Sequence, residues 1–324
     1  MTDPGDHLDP GLRSDMVSLI RQASAPLPWL PPPELPPYLE AANQRFEVCP
    51  GTPPPGDVST IIFDVYGTLF VSAAGDISLA GDSGTAGNIC TGDDSVGNSL
   101  DNLAAEYGVS AEELRGYFRG ELLRRHEKLR GKAAYPELRV EEIWADFPAR
   151  RAEPRRNSVT TRYDSRELAL RYELVVNPVY PMPGAEETLR ILRDRGIRLG
   201  LISNAQFFTP LLFEAFFGGS PEALGFDREL LIYSFEIGEA KPSPALFNPA
   251  VRRLETLGLK PENALYVGND MLNDIFAAAR AGFKTALFAG DRRSLRLREG
   301  DGRTQGIRPD WVIRELKSLT KPPN

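Results

Sequence analysis

The chain has 324 residues, room for a main domain and a smaller second one, and its 41% hydrophobic and 26% charged composition is that of a soluble globular protein with a sizeable core. A net charge of −7 gives no electrostatic footprint for nucleic acid or an anionic membrane. With only two cysteines and two histidines, a disulfide framework, a cysteine zinc cluster and any mechanism needing several imidazoles are set aside.

Residues 1–57 hold 13 of the 28 prolines, including Pro31-Pro32-Pro33 and Pro53-Pro54-Pro55. Proline fixes φ and lacks an amide donor, so this stretch is expected to be a loosely packed extension without a regular core element. No basic start precedes an apolar run and no stretch approaches a spanning helix, which reads as cytoplasmic. At Val58 the character changes. Ile61-Ile62-Phe63 is a short apolar run ending in Asp64, with the turn residues Gly67 and Thr68 beyond it, as a strand buried in a parallel sheet requires. Residues 72–99 are rich in Gly, Ser, Asp and Ala and read as a long flexible loop. From Leu100 to about Leu174 the signals are helical, notably Ala111 to Leu129 and Val140 to Ala149.

A periodic helix follows from Ala185 to Arg195, then a strand from Arg198 to Ile202 running into Ser203-Asn204. Pro244 to Leu257 reads as a helix, Ala264 to Val267 as a strand running into Gly268, and Asn273 to Ala281 as a helix closed by Gly282. Strands at Thr285 to Phe288 and Asp310 to Ile313 complete the series. The alternation predicts an α/β fold: a doubly wound (Rossmann-like) parallel sheet core with a helical cap domain inserted after the first core strand. The expected organisation is an extension at 1–57, the core at 58–77 and 178–324, and the cap with its flexible loop at 78–177. In such sheets ligands sit beyond the carboxyl ends of the strands, where Asp64, Ser203-Asn204 and Asn269-Asp270 all fall.

Alone, an aspartate before a glycine turn reads as a turn or cap residue, and Lys241 before Pro242 as a solvated loop lysine. Their order and strand context say more. Asp64-Val65-Tyr66-Gly67-Thr68-Leu69, Ile202-Ser203-Asn204, Lys241-Pro242-Ser243-Pro244 and Val267-Gly268-Asn269-Asp270 with Asn273-Asp274 resemble the four motifs of the haloacid dehalogenase superfamily. Pro181-Met182-Pro183-Gly184 matches the family's lead into the helix before the second motif.

The resemblance implies a hydrolase with Asp64 as a covalent nucleophile, which splits one displacement into formation and hydrolysis of an ester-like intermediate. In that reading Lys241 holds Asp64 ionised and neutralises substrate charge, and Ser203 and the Asn204 backbone hydrogen-bond the transferring group. Thr68 orients the nucleophile loop. Phosphoryl-handling members bind Mg²⁺ through the nucleophile, a backbone carbonyl two residues on, and fourth-motif acids; the corresponding residues are Asp64, Tyr66, Asn269, Asp270 and Asp274. Family phosphatases carry a second aspartate where this chain has Tyr66. Asp-x-Tyr-Gly-Thr is instead the form of the 2-haloacid dehalogenases, whose halide leaves unprotonated and which use no metal. The run from Lys241 to Phe247 resembles the phosphatase branch.

The expected activity is therefore Mg²⁺-dependent hydrolysis of a small phosphorylated metabolite, one with a good leaving group. A 2-haloacid dehalogenase and a non-catalytic binding protein of the same fold are the alternatives. In the cap, Arg124 is a candidate substrate-binding cation, against the plainer reading of a solvated basic face shared with Arg125 and His126. The expected partner is a small molecule, with no nucleic acid and no membrane, and the sequence sets no oligomeric state.

Overall fold

The computed structural model describes residues 8–27, 30, 31, 33–40, 58–72, 100–147 and 164–320. Strands β1 (Thr60–Phe63), β4 (Arg198–Ser203), β5 (Phe226–Tyr233), β6 (Ala264–Gly268), β7 (Lys284–Phe288) and β8 (Trp311–Ile313) form one sheet in the order β5-β4-β1-β6-β7-β8. Every pairing is parallel, with Thr60 opposite Arg198 on one side and Ala264 on the other. All four residues of β1 are buried, as expected of an unbroken apolar run at the centre of a parallel sheet. β5 was not foreseen. After the buried Phe226 come Asp227, Arg228 and Glu229, and as an edge strand it leaves two of these exposed, which breaks the apolar signal.

Helices α6 (Ala185–Asp194), α7 (Thr209–Phe217), α9 (Pro244–Thr256) and α10 (Ala277–Arg280) belong to the core, with a single turn α8 (Ser234–Ile237) after β5. α6 buries Ala185, Thr188, Leu189 and Leu192, the spacing of one helical face, and carries Glu186 and Glu187 in its first turn. The helix expected from Asn273 starts earlier, as a π-helical turn at Met271–Phe276 leading into α10. Asp270 sets that start by accepting hydrogen bonds from Leu272 N and Asn273 N.

Between β1 and β4 an antiparallel ribbon of β2 (Phe70–Ser72) and β3 (Val179–Pro181) carries the chain out to the helical insert and back. The insert contains α2 (Leu100–Glu106), α3 (Ala111–Leu129), α4 (Val140–Ala145) and α5 (Ser165–Val176). Ser110 and Glu113 form a reciprocal capping box at the start of α3. Trp144 is fully buried among Phe118, Phe147 and Tyr172, with ring centroids 5.0 to 5.5 Å away. The loop expected at 72–99 lies outside the described residues apart from Ser72, which ends β2, and the helix expected to run to Ala149 ends at Ala145.

The N-terminal stretch departs from expectation. Helix α1 (Pro10–Ala23) buries Met16, Val17 and Ile20 in the same hydrophobic cluster as β1. Arg13 pairs with Glu214, and Arg21 Nε donates to Ala215 O at 2.9 Å, which ties α1 to α7. The reason is positional: Pro10 sits at the helix start, where a missing N–H costs nothing. Among the described residues, no helix is long and apolar enough to cross a membrane.

Candidate active site

The sheet order places β1 where the winding reverses. From β1 the chain proceeds to β4 and β5 on one side, then crosses to β6, β7 and β8 on the other. A crevice at such a switch point is where open α/β sheets hold ligands, and Asp64 stands at its centre. Its N–H donates to Val267 O at 2.9 Å, which keeps the start of the loop fastened to β6. Gly67 adopts a φ of 83° and its Cα faces the Asn269 amide so closely that a Cβ would lie 2.5 Å from Nδ2. Gly268 leaves similar room: a Cβ there would lie 2.4 Å from Asp274 Cγ.

Lys241 joins these pieces. Its Nζ lies 2.8 Å from Asp64 Oδ1, 2.6 Å from Asp274 Oδ1 and 3.2 Å from the Tyr266 hydroxyl. An ammonium has three N–H donors, so all three have acceptors. Ser203 Oγ donates to Asp64 Oδ1 at 2.8 Å. Both contacts of the Asp64 side chain therefore converge on Oδ1, and neither engages Oδ2. Asp274 is fully buried and receives the Asp270 N–H on Oδ2 at 2.9 Å. Burial pushes its carboxyl up to about 7, against the downward pull of Lys241. Burial alone would lower the Lys241 pKa, but the carboxylates of Asp274 and Asp64 outweigh it and hold the amine charged. Asn204 acts through its side chain here, with Oδ1 accepting the Lys241 N–H at 2.6 Å and tying the second motif to the third.

The profile of the haloacid dehalogenase-like hydrolases matches residues 58–282, which span all of these groups. The chain belongs to that family. Among curated relatives it is 36% identical over 120 residues to a phosphoglycolate phosphatase of Aquifex aeolicus, covering 34% of this chain and 49% of the relative. It is 37% identical over 111 residues to a glyceraldehyde 3-phosphate phosphatase of Methanopyrus kandleri, covering 32% and 42%. The match thus spans half or less of each of these relatives. A solved HAD phosphatase from Thermococcus onnurineus aligns over 82% of this chain and 97% of its own, with 20% identity and a TM-score of 0.42.

Two features set this haloacid dehalogenase-like site apart from the expected phosphatase arrangement. First, Tyr66 is buried, with its hydroxyl 2.9 Å from Thr209 Oγ1, at the start of α7. Burial pushes the phenol far above its usual range, so it stays neutral and is no ready proton donor. Second, the fourth-motif side chains expected to hold Mg²⁺ are committed to the protein. Asn269 accepts from Thr68 Oγ1 at 3.1 Å and donates to Ser294 O at 2.6 Å. Asp270 spends Oδ1 on the π-helical turn and Oδ2 on Arg298 Nε and Nη2, at 2.9 and 2.6 Å. Asp274 is held by Lys241 and the Asp270 amide. Among the described residues, no group of three or more His, Cys, Asp or Glu side chains is placed to hold a metal ion. Mg²⁺ needs near-octahedral oxygen donors with free lone pairs, and the engaged side chains of Asn269, Asp270 and Asp274 do not fit it.

Arg124 is not brought to the strand ends. Its guanidinium pairs with Glu121 one turn away on α3, at 2.5 and 2.8 Å, and faces an open groove with Leu123, His126 and Arg130. Three contributors went unforeseen. Tyr266 was hidden inside an apolar strand, although a lone tyrosine at the middle of a central strand is itself a sign of a polar partner. Arg298 and Gln206 meet elements far away in sequence, and nothing beside them signals it.

Proposed function

We propose that this haloacid dehalogenase-like hydrolase cleaves a small phosphorylated metabolite with a good leaving group, through a phosphoryl intermediate on Asp64. The observation that carries the reading is the Lys241 ammonium bridging Asp64 Oδ1 and Asp274 Oδ1 at a strand end, with Ser203 on the same oxygen. The relatives named as phosphatases support the choice of phosphorus as the electrophile.

In the first step Asp64 Oδ2 attacks phosphorus and the bond to the leaving oxygen breaks. In the second, water attacks phosphorus, the bond to Oδ2 breaks, and the carboxylate is regenerated with release of inorganic phosphate and a proton. Lys241 and Ser203 fix the other oxygen and supply preorganised positive charge as the attack proceeds. Since Tyr66 offers no proton, a poorly leaving alkoxide would suffer most, while an acyl phosphate or phosphoanhydride departs unaided. No step is assigned to a divalent cation, because the fourth-motif side chains that would hold it are engaged. Phosphate release from acetyl phosphate, abolished in Asp64→Asn, is the direct test; equal release by the variant refutes the reading.

Tyr66 also favours a second reading, displacement of halide from a 2-haloacid, which needs no proton donor. The two differ in where water strikes. In a single turnover in ¹⁸O water, the phosphoryl route labels the released phosphate, whereas hydrolysis of a carbon ester labels the Asp64 carboxylate.

A further inference from the structure

Gln206 follows the Ser203-Asn204 motif by two residues and is buried, yet its side-chain amide reaches away from the core. Its Oε1 accepts Val140 N at 3.1 Å, and its Nε2 donates to Leu138 O at 2.8 Å and to Glu137 Oε1 at 3.2 Å. All three partners belong to one cap segment. Val140 opens α4, whose N-cap residue Arg139 supplies no side-chain cap, so a core glutamine caps a cap helix. Glu137 Oε2 in turn accepts from Ser234 Oγ at 2.6 Å, and that oxygen accepts Ala205 N at 2.8 Å.

The same cap segment runs antiparallel beside the residues leading into Lys241. Ala240 N donates to Tyr135 O at 2.8 Å, and Glu137 N to Gly238 O at 3.1 Å. One strap therefore touches both loops that present Ser203 and Lys241 to Asp64. On its core side, the Gln206 N–H donates to Thr209 Oγ1 at 3.1 Å, the oxygen that also meets Tyr66 of the nucleophile loop. A polar chain thus links the nucleophile loop to the cap. Lifting the cap would strip buried polar groups of their partners on both sides, which couples its docking to the shape of the loops beneath.

We propose that Gln206, with Glu137, is a positioning residue that makes the docked cap a condition for a working Ser203–Asn204 loop. This rests on Asp64 being the nucleophile, since it is the Ser203 contact to Asp64 that the loop holds in place. Gln206 touches no reacting atom and acts through the loop. The positions of Ser203 and Asn204 matter most as charge develops on the transferring group, so kcat should respond more than KM.

Gln206→Glu tests the coupling with little change of shape, because it sets a second carboxylate against Glu137 and removes the donor to Leu138 O. Acetyl phosphate turnover should fall about tenfold in kcat with KM nearly unchanged, a loss typical of a misplaced positioning group. Amide exchange should quicken in segments 135–145 and 203–206. Adding Glu137→Gln restores the donor–acceptor pair between these two side chains, though not the donor to Leu138 O, and should recover part of both effects, which a general loss of stability would not permit. Unchanged kcat in a folded Gln206→Glu enzyme, or no recovery in the double variant, overturns the proposal. If the wild type releases no phosphate, the phosphoryl reading fails. The exchange measurement then decides the latch on its own: unchanged exchange in Gln206→Glu overturns it too.

Discussion

Lys241 at the strand ends and Arg124 on α3 of the helical insert are both basic residues within reach of a carboxylate, and they show how differently the same charge can be used. The Lys241 side chain is 3% exposed and bonds to groups from the loop just after β1, from β6 and from the π-helical turn, which the chain brings together from residues up to 210 positions apart by number. The Arg124 side chain is 46% exposed, and its partner Glu121 is three residues away on the same helix. Water screens the second pair, and such helical pairs contribute only about 0.2–0.5 kcal/mol. The first is desolvated, so removing one member leaves charge without compensation. Of the two, only at Lys241 do several elements converge on the positive charge out of contact with water.

The comparison can be broken most severely at its negative pole. Asp64→Asn should cut phosphate release at least a thousandfold, on the order of other lost nucleophiles, in a fold that still melts cooperatively. Lys241→Met should cost about 3–5 kcal/mol of stability, read by urea denaturation, because Asp64 and Asp274 then face each other unpaired. Its activity should fall with it. Gly268→Ala drives a methyl group into Asp274 and should cost about 1–3 kcal/mol while loosening the hold of Lys241. At the other pole, Arg124→Ala should leave kcat/KM unchanged and stability within about 0.5 kcal/mol. An effect of Arg124→Ala as large as that of Lys241→Met would erase the distinction.

Removing divalent cations sharpens the same contrast between committed and free charge. With Asn269, Asp270 and Asp274 engaged by protein groups, EDTA should leave acetyl phosphate turnover unchanged. Loss of activity on chelation, restored by Mg²⁺, would mean that Arg298 releases Asp270 and the site rearranges around the ion.

Much of this was legible before the fold was known, for a physical reason. A parallel strand buried on both faces is an uninterrupted apolar run, so Ile61 to Phe63 and Ala264 to Val267 announce themselves, and the polar residues that end them stand out. β5 carries three charged residues directly after Phe226 at a sheet edge and gave no such run. Helix α1 was obscured by the prolines that follow it, although its own apolar face at Met16, Val17 and Ile20 is regular. Asp64 and Lys241 could be named from the motifs. What Asp270 would bind could not, since its partner Arg298 lies 28 residues on in a loop whose course no local pattern dictates. Tyr66 was visible as a departure from the phosphatase pattern, but its bond to Thr209 belongs to tertiary packing.

The central claim is a phosphoryl group carried transiently by Asp64. Acid-quenching the enzyme during turnover of acetyl phosphate and mapping its peptides by mass spectrometry tests this directly. The account predicts a phosphoryl adduct on the peptide that contains Asp64, absent from Asp64→Asn. Steady turnover with the adduct on another residue, or undiminished phosphate release by that variant, would contradict it.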